Sequence, residues 1–123
     1  MARSPISDPA RMLAEMAPVL DGRAWRFVVV PEGAAPPDAF ALIREDEGLT
    51  AILPDEAGDF ARITLMVHSA LGGVGLTAAV SSALARAEIA CNVVAGFHHD
   101  HLFVPWQRRD EALVVLRRLS QSA

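Results

Sequence analysis

The sequence predicts an α+β fold built on an antiparallel sheet, and three observations carry that prediction. Arg62 to His68, RITLMVH, sets Ile63, Leu65 and Val67 against Thr64, Met66 and His68, the two-residue period of a half-buried strand. Leu76 to Ala87 places Leu76, Val80, Ala83, Leu84 and Ala87 on one face, the period of an amphipathic helix. Ile89 to Ala95 and Asp100 to Val104 then read as two strands joined by a short turn.

The remaining elements follow in chain order. Asp8-Pro9 is a helix start, with Asp8 as cap and Pro9 at the first helical position. Met12, Leu13, Met16 and Leu20 continue with helical spacing, Pro18 ends or tightens that helix, and Asp21-Gly22 reads as a turn. Ala24 to Val30, AWRFVVV, is rich in aromatic and β-branched residues and predicts a strand. Pro31 to Asp38 is a loop, and Ala39 to Arg44 with Leu49 to Leu53 form a hairpin around Glu45 to Gly48. Pro54 to Asp59 divides the chain into an N-terminal half, 1–59, of one helix and three strands, and a C-terminal half, 60–123, the two forming one compact unit. Gln107 to Leu119 is a helix with Ala112, Leu113, Leu116 and Leu119 facing inward. The second half thus runs strand, helix, strand, strand, helix, a ferredoxin-like order lacking its last strand. That open edge has to be covered by the first half or by a partner subunit.

With 123 residues the chain fits one domain with a real core. A 52% apolar, 21% charged composition is that of a globular protein. The net charge of -4 and the absence of any block of Lys or Arg argue against nucleic acid or an anionic membrane as partner. No apolar run approaches the ~20 residues that span a bilayer, and the N-terminus carries no signal-peptide core, so a cytoplasmic location is expected. The single cysteine, Cys91, has no disulfide partner in the chain and reads as a small buried apolar residue. Arg108-Arg109 and Arg117-Arg118 are explained by a solvated helix face. Trp25 and Trp106 read as core or interface anchors.

Two stretches bear on chemistry. Ser69 to Gly75, SALGGVG, precedes a helix, where free backbone N–H groups attract an anion such as a carboxylate. The same glycines also suit an ordinary tight turn, and the spacing is neither a P-loop nor GxGxxG. Cys91 to Pro105, CNVVAGFHHDHLFVP, holds His98, His99, Asp100 and His101. The H-x-H pair His99 and His101 would share a strand face, with His68 as a conceivable third metal ligand, but Asp100 would point away. The alternative is a polar hairpin turn, and neither a metal nor a cofactor is expected. No nucleophile elbow or convergent carboxylate pair is present, so no catalytic activity is expected.

Val67-His68-Ser69, Val74-Gly75-Leu76-Thr77-Ala78-Ala79-Val80, Cys91 to Gly96, His99-Asp100-His101 and Phe103-Val104-Pro105 together resemble the ACT-domain superfamily. More narrowly, the chain is similar to small bacterial proteins with tandem ACT-like halves, related to the ACT repeats of eukaryotic amino-acid sensors. The resemblance runs from about Ile6 to Ser120 and includes the Glu47-Gly48-Leu49-Thr50 hairpin. It implies an ACT-like second half completed by an ACT-like first half. It also implies a non-catalytic regulatory or sensor protein that binds a small molecule, most simply an amino acid, and assembles as a homo-oligomer, most simply a dimer. A structural module that dimerises without ligand is the alternative. By the resemblance, ligand contacts fall to His68, Ser69, Leu71, Gly72, Gly73, Val74, Gly75 and Leu76 in the loop and helix start. Asn92, Val93, His99, Asp100 and His101 complete the set from the hairpin. His68 and Ser69 stand where many ACT domains carry an acidic residue.

Overall fold

A computed structural model describes residues 4–71 and 73–122. The described residues contain six strands, β1 (Pro18–Val30), β2 (Ala41–Glu45), β3 (Gly48–Pro54), β4 (Phe60–Leu65), β5 (Asn92–Ala95) and β6 (Asp100–Pro105), and three α-helices, α1 (Pro9–Ala14), α2 (Leu76–Arg86) and α3 (Arg109–Gln121). The strands form one antiparallel sheet in the order β2-β3-β1-β4-β6-β5. This is the expected α+β, ferredoxin-like arrangement. The missing fourth strand of the second half is supplied by β1, which pairs with β4 from Pro18↔Leu65 to Trp25↔Phe60. First-half residues, not a partner subunit, cover that edge.

All three helices lie on one face of the sheet. Ala61, Ile63 and Leu65 of β4 and Leu102 and Val104 of β6 point there by strand alternation. They are buried with Met12, Leu76, Val80, Leu84, Ala112 and Leu116 from the helices. Inward positions expected for α2 and α3 are therefore those observed, with Leu113 and Leu119 packing at the margin. The second face is covered by a smaller cluster of Trp25, Ile52 and Phe103, flanked by Phe27, Phe40, Phe60 and Val94. Its rings meet edge to face, Phe103 lying 5.3 Å from Phe27 and 6.2 Å from Trp25. Trp25 is thus a core anchor, whereas Trp106 is half-buried with the Arg109 guanidinium 3.8 Å from its ring centre.

Local chemistry explains where the elements differ from expectation. α1 starts as read, with the Asp8 carboxylate accepting from the Arg11 N–H at 2.9 Å, but it ends at Ala14. Ala17 then adopts φ 46° and Pro18 opens β1, so Leu20 is a strand residue opposite Ile63 rather than helical. Asp21-Gly22 is not a turn. Three residues of β1 between Leu20 and Ala24 oppose the single β4 residue between Ile63 and Ala61, so Asp21 to Arg23 form a bulge. The expected RITLMVH strand ends its pairing early: β4 stops at Leu65, the fourth of those residues, and Met66 and Val67 donate instead to the carbonyls of Ala17 and Met16. Ile89 also precedes the strand. It closes α2 through a bond to the Leu84 carbonyl while Glu88, at φ 59°, donates to Ala85, the double bond of a Schellman motif. Arg108 is not a simply solvated arginine: it reaches the carbonyls of Ala87 and Glu88 at that helix end and pairs with Glu111.

Gly58 is fixed by close approach. A Cβ there would lie 2.3 Å from the Trp25 carbonyl oxygen, with no flexible side chain to give way. Gly58→Ala is therefore expected to lower stability by about 2–3 kcal/mol in urea denaturation. Glu88→Gly is expected to change stability in the opposite direction, by up to about 1 kcal/mol, because a left-handed residue is relieved of its Cβ.

Candidate functional site

The described part of the glycine loop runs from β4 to α2 past a chain crossing. Ile6 donates to the His68 carbonyl at 2.8 Å and accepts from the Ala70 N–H at 2.9 Å, forming a parallel bridge with Ser69. Ala70 then accepts from Gly73 at 2.9 Å, and Gly75 caps α2 with φ 109°. That φ is one that L side chains rarely adopt, so glycine at 75 is required by backbone geometry. Gly75 has no side chain with which to cap the helix, and the first turn has no acidic residue. The first N–H groups of α2 thus begin without intrahelical acceptors, at the positive end of the helix dipole.

This helix start borders a cavity of about 130 Å³. Ser69, Leu71, Gly73, Gly75, Leu76 and Asp100 of the expected set line it. Sequence reasoning missed Met12, Ala70, Thr77, Ala95 and Gly96, which also line it. Thr77 had a readable signal, being the second residue of the helix whose first was singled out. Met12 had none beyond its burial.

The rest of the expected set lies elsewhere. His68 and His99 line a larger cleft of about 500 Å³ with Ile6, Ala17, Met66, Phe97 and His98. Asn92 is exposed on β5 opposite Phe103, and Val93 opposes Leu102 and packs against the helix-side core. Val74 is 76% exposed and borders neither cavity. Gly72 lies outside the described residues. His101 faces the second side of the sheet, where its Nδ1 is 2.9 Å from Thr64 Oγ1 and its ring meets Phe40 edge-on at 4.8 Å. The H-x-H pair is separated because β6 begins at Asp100, leaving His99 in the turn with Nδ1 3.5 Å from the Val67 carbonyl. Among the described residues no three His, Cys, Asp or Glu side chains come together to hold a metal ion.

Burial sets the ionisation of three groups. The Asp100 carboxyl is raised above the ordinary carboxylate range by desolvation, with nearby His99 pulling the other way. His101 is lowered by burial and by Arg62 and His99, which favours the neutral imidazole. The Cys91 thiol is pushed up to about 11 by burial, so it is not a nucleophile at neutral pH.

An ACT domain model matches residues 61–118 and a second ACT domain model matches residues 4–68. The fold is shared with a Vibrio cholerae protein of unknown function, described as a possible transport protein. That protein is 36% identical over 88% of this chain and 92% of its own, with a TM-score of 0.78. An Agrobacterium tumefaciens protein, 18% identical over 80% of this chain and 84% of its own, shares the fold at a TM-score of 0.63. No curated protein matches the chain. No helix among the described residues is long and apolar enough to cross a membrane.

The raised pKa of Asp100 makes a signed prediction. Between the unfolded carboxyl value of ~3.9 and the higher folded value, the folded state binds more protons. Stability contributed by this group is present in acid and is lost as pH rises through the folded pKa. Asp100→Asn should therefore be more stable than the parent at about pH 7 and lose that advantage below about pH 4. Urea titrations of both proteins across that range measure the difference.

Proposed function

The chain belongs to the ACT-domain superfamily, whose members are generally small-molecule-binding regulatory domains, and from that premise we propose that it is a non-catalytic sensor of a small amino acid. One observation carries the reading: the uncapped start of α2 and the Asp100 carboxylate line the same cavity. A zwitterion matches both walls. Its carboxylate meets the N–H groups at Leu76 and Thr77, and its ammonium meets Asp100. An arriving ammonium also offsets the desolvation that raises the Asp100 pKa. Size narrows the class. A volume of about 130 Å³ suits glycine, alanine or serine and excludes phenylalanine or tryptophan. Ser69 and Thr77 are the hydroxyls available to select a polar side chain.

ACT domains commonly oligomerise, and the proposed assembly is a cytoplasmic homodimer. β5 supports this, since it is a four-residue edge strand whose outer backbone groups have no ladder partner among the described residues. We read the chain as two ACT-like halves, 1–59 and 60–123, whose first strands meet at the sheet centre. β2, the other edge, exposes Leu42 and Ile43 and favours the second reading, an interaction module without ligand.

Thermal unfolding against glycine, alanine and serine separates the two. A ligand at ~100 times its Kd should stabilise by about 2.7 kcal/mol. Asp100→Asn should remove most of that shift while retaining the fold. No shift with any of the three at millimolar concentration would leave only the interaction module.

A further inference from the structure

A second cavity lies beside the first and is chemically unlike it. It is several times larger, about 500 Å³ against about 130 Å³, and apolar surface dominates its lining. Ile6, Ala17 and Met66 form apolar wall, and Phe97 with His68 and His98 supplies rings. The rings are mutually arranged: His68 lies 5.5 Å from His98 and 6.4 Å from Phe97, and Phe97 lies 5.2 Å from His98. Phe97 is 69% exposed and Met66 46% exposed, so large apolar side chains are held in solvent at this place. Ala17 sits at φ 46° on the same wall, a conformation costly for a residue with a Cβ. Strained backbone beside a concave apolar pocket with a few convergent polar groups is a signature of a binding site.

We propose that this cleft is a separate site for a planar aromatic carboxylate. The ligand ring stacks against Phe97 and His98, its apolar edge rests on Ile6, Ala17 and Met66, and the His98 imidazole with the Ser4 hydroxyl offers donors to its carboxylate. The one acidic group in the lining, Glu15, is already paired with Arg11 at 2.9 Å. That pairing lessens the pull of Glu15 on a cationic ligand. The turn from Gly96 to Asp100 borders both cavities, with Phe97, His98 and His99 on the larger and Gly96 and Asp100 on the smaller.

Indoleacetate and salicylate are the probes, with cyclohexanecarboxylate as the non-planar control and benzylamine as the charge-reversed one. Calorimetry on the full chain is expected to show binding of both aromatic carboxylates and at least tenfold weaker binding of both controls. Phe97→Ala, at an exposed turn position that the fold does not need, should weaken the aromatic carboxylates at least tenfold, and His98→Ala should weaken them as well. Asp100→Asn should leave them bound, which separates this site from the small-amino-acid cavity. The proposal is overturned if neither aromatic carboxylate binds at millimolar concentration. It is equally overturned if Phe97→Ala binds them as the parent does, or if Asp100→Asn abolishes their binding.

Discussion

Antiparallel pairing of β1 with β4 is the constraint on which the rest of the structure depends. The order β2-β3-β1-β4-β6-β5 is two three-strand blocks joined at their first strands. Taken alone, each block would leave its first strand with a row of unpaired N–H and C=O groups. Joining them satisfies both rows at once and moves the remaining edges to the short strands β2 and β5. The same pairing sets which side chains face the helices: Leu20 meets Ile63 and Ala24 meets Ala61 on that side, and Trp25 turns to the other. Outward from this pair both blocks run first strand, third strand, second strand, although only the second carries an α-helix, α2, between its strands.

A partly buried charge is locked to this joint. Arg62, on β4, has a side chain only 17% exposed, with its guanidinium 4.7 Å from the Trp25 ring centre and 4.4 Å from that of Phe40. Its carboxylate partner at 3.2 Å is Asp21, a residue of the β1 bulge. Cation–π contacts and the ion pair together offset the desolvation of a guanidinium that could not simply be left among aromatic rings. Its Nε and the Trp25 indole N–H have no hydrogen-bond partner among the described residues, so the cluster is held together at a polar cost. The bulge therefore has a reason: extra residues at 21–23 bring an acid to where β4 places its arginine. Arg62 in turn helps keep His101 neutral, which suits that imidazole's bond to Thr64.

The second half was the more legible in sequence because its segments each carry one clear period. RITLMVH alternates, α2 and α3 show their buried faces, and two apolar runs flank a polar turn. The first half was legible at the Asp8-Pro9 helix start, at the hairpin around Glu45 to Gly48 and where β-branched and aromatic residues crowd together. Its strand β1 begins six residues before the expected start because Asp-Gly serves a turn and a bulge equally well in local terms, and only the partner strand decides between them. Nothing local could announce the left-handed Ala17, which follows from where Met66 and Val67 need acceptors. At the site, the glycine loop and helix start were readable, and so was Asp100. His68 and His99 go to the larger cleft while Asn92 and His101 go to the second face of the sheet, a separation that depends on where β6 begins. A one-residue change in that start would reverse the faces.

Both cavities occur where the central ladder gives out. β4 and β6 pair as far as Leu65↔Asp100 and then diverge, β4 toward the glycine loop and β6 back into the Gly96–His99 turn, closed by a 2.9 Å bond from the Gly96 N–H to the His99 carbonyl. Backbone groups released by the divergence need new partners. The N-terminal segment supplies them through Ile6, Met16 and Ala17, and so becomes a wall rather than a tail. A divergence bridged by a third chain segment cannot close as tightly as a continuous sheet, and space remains on either side of the bridge. On one side that space meets an uncapped helix start and a desolvated carboxylate; on the other it meets rings and methyl groups. The chemistry of the two cavities differs because the same three stretches, the N-terminal segment, the β4–α2 connection and the β5–β6 turn, present different residues to each.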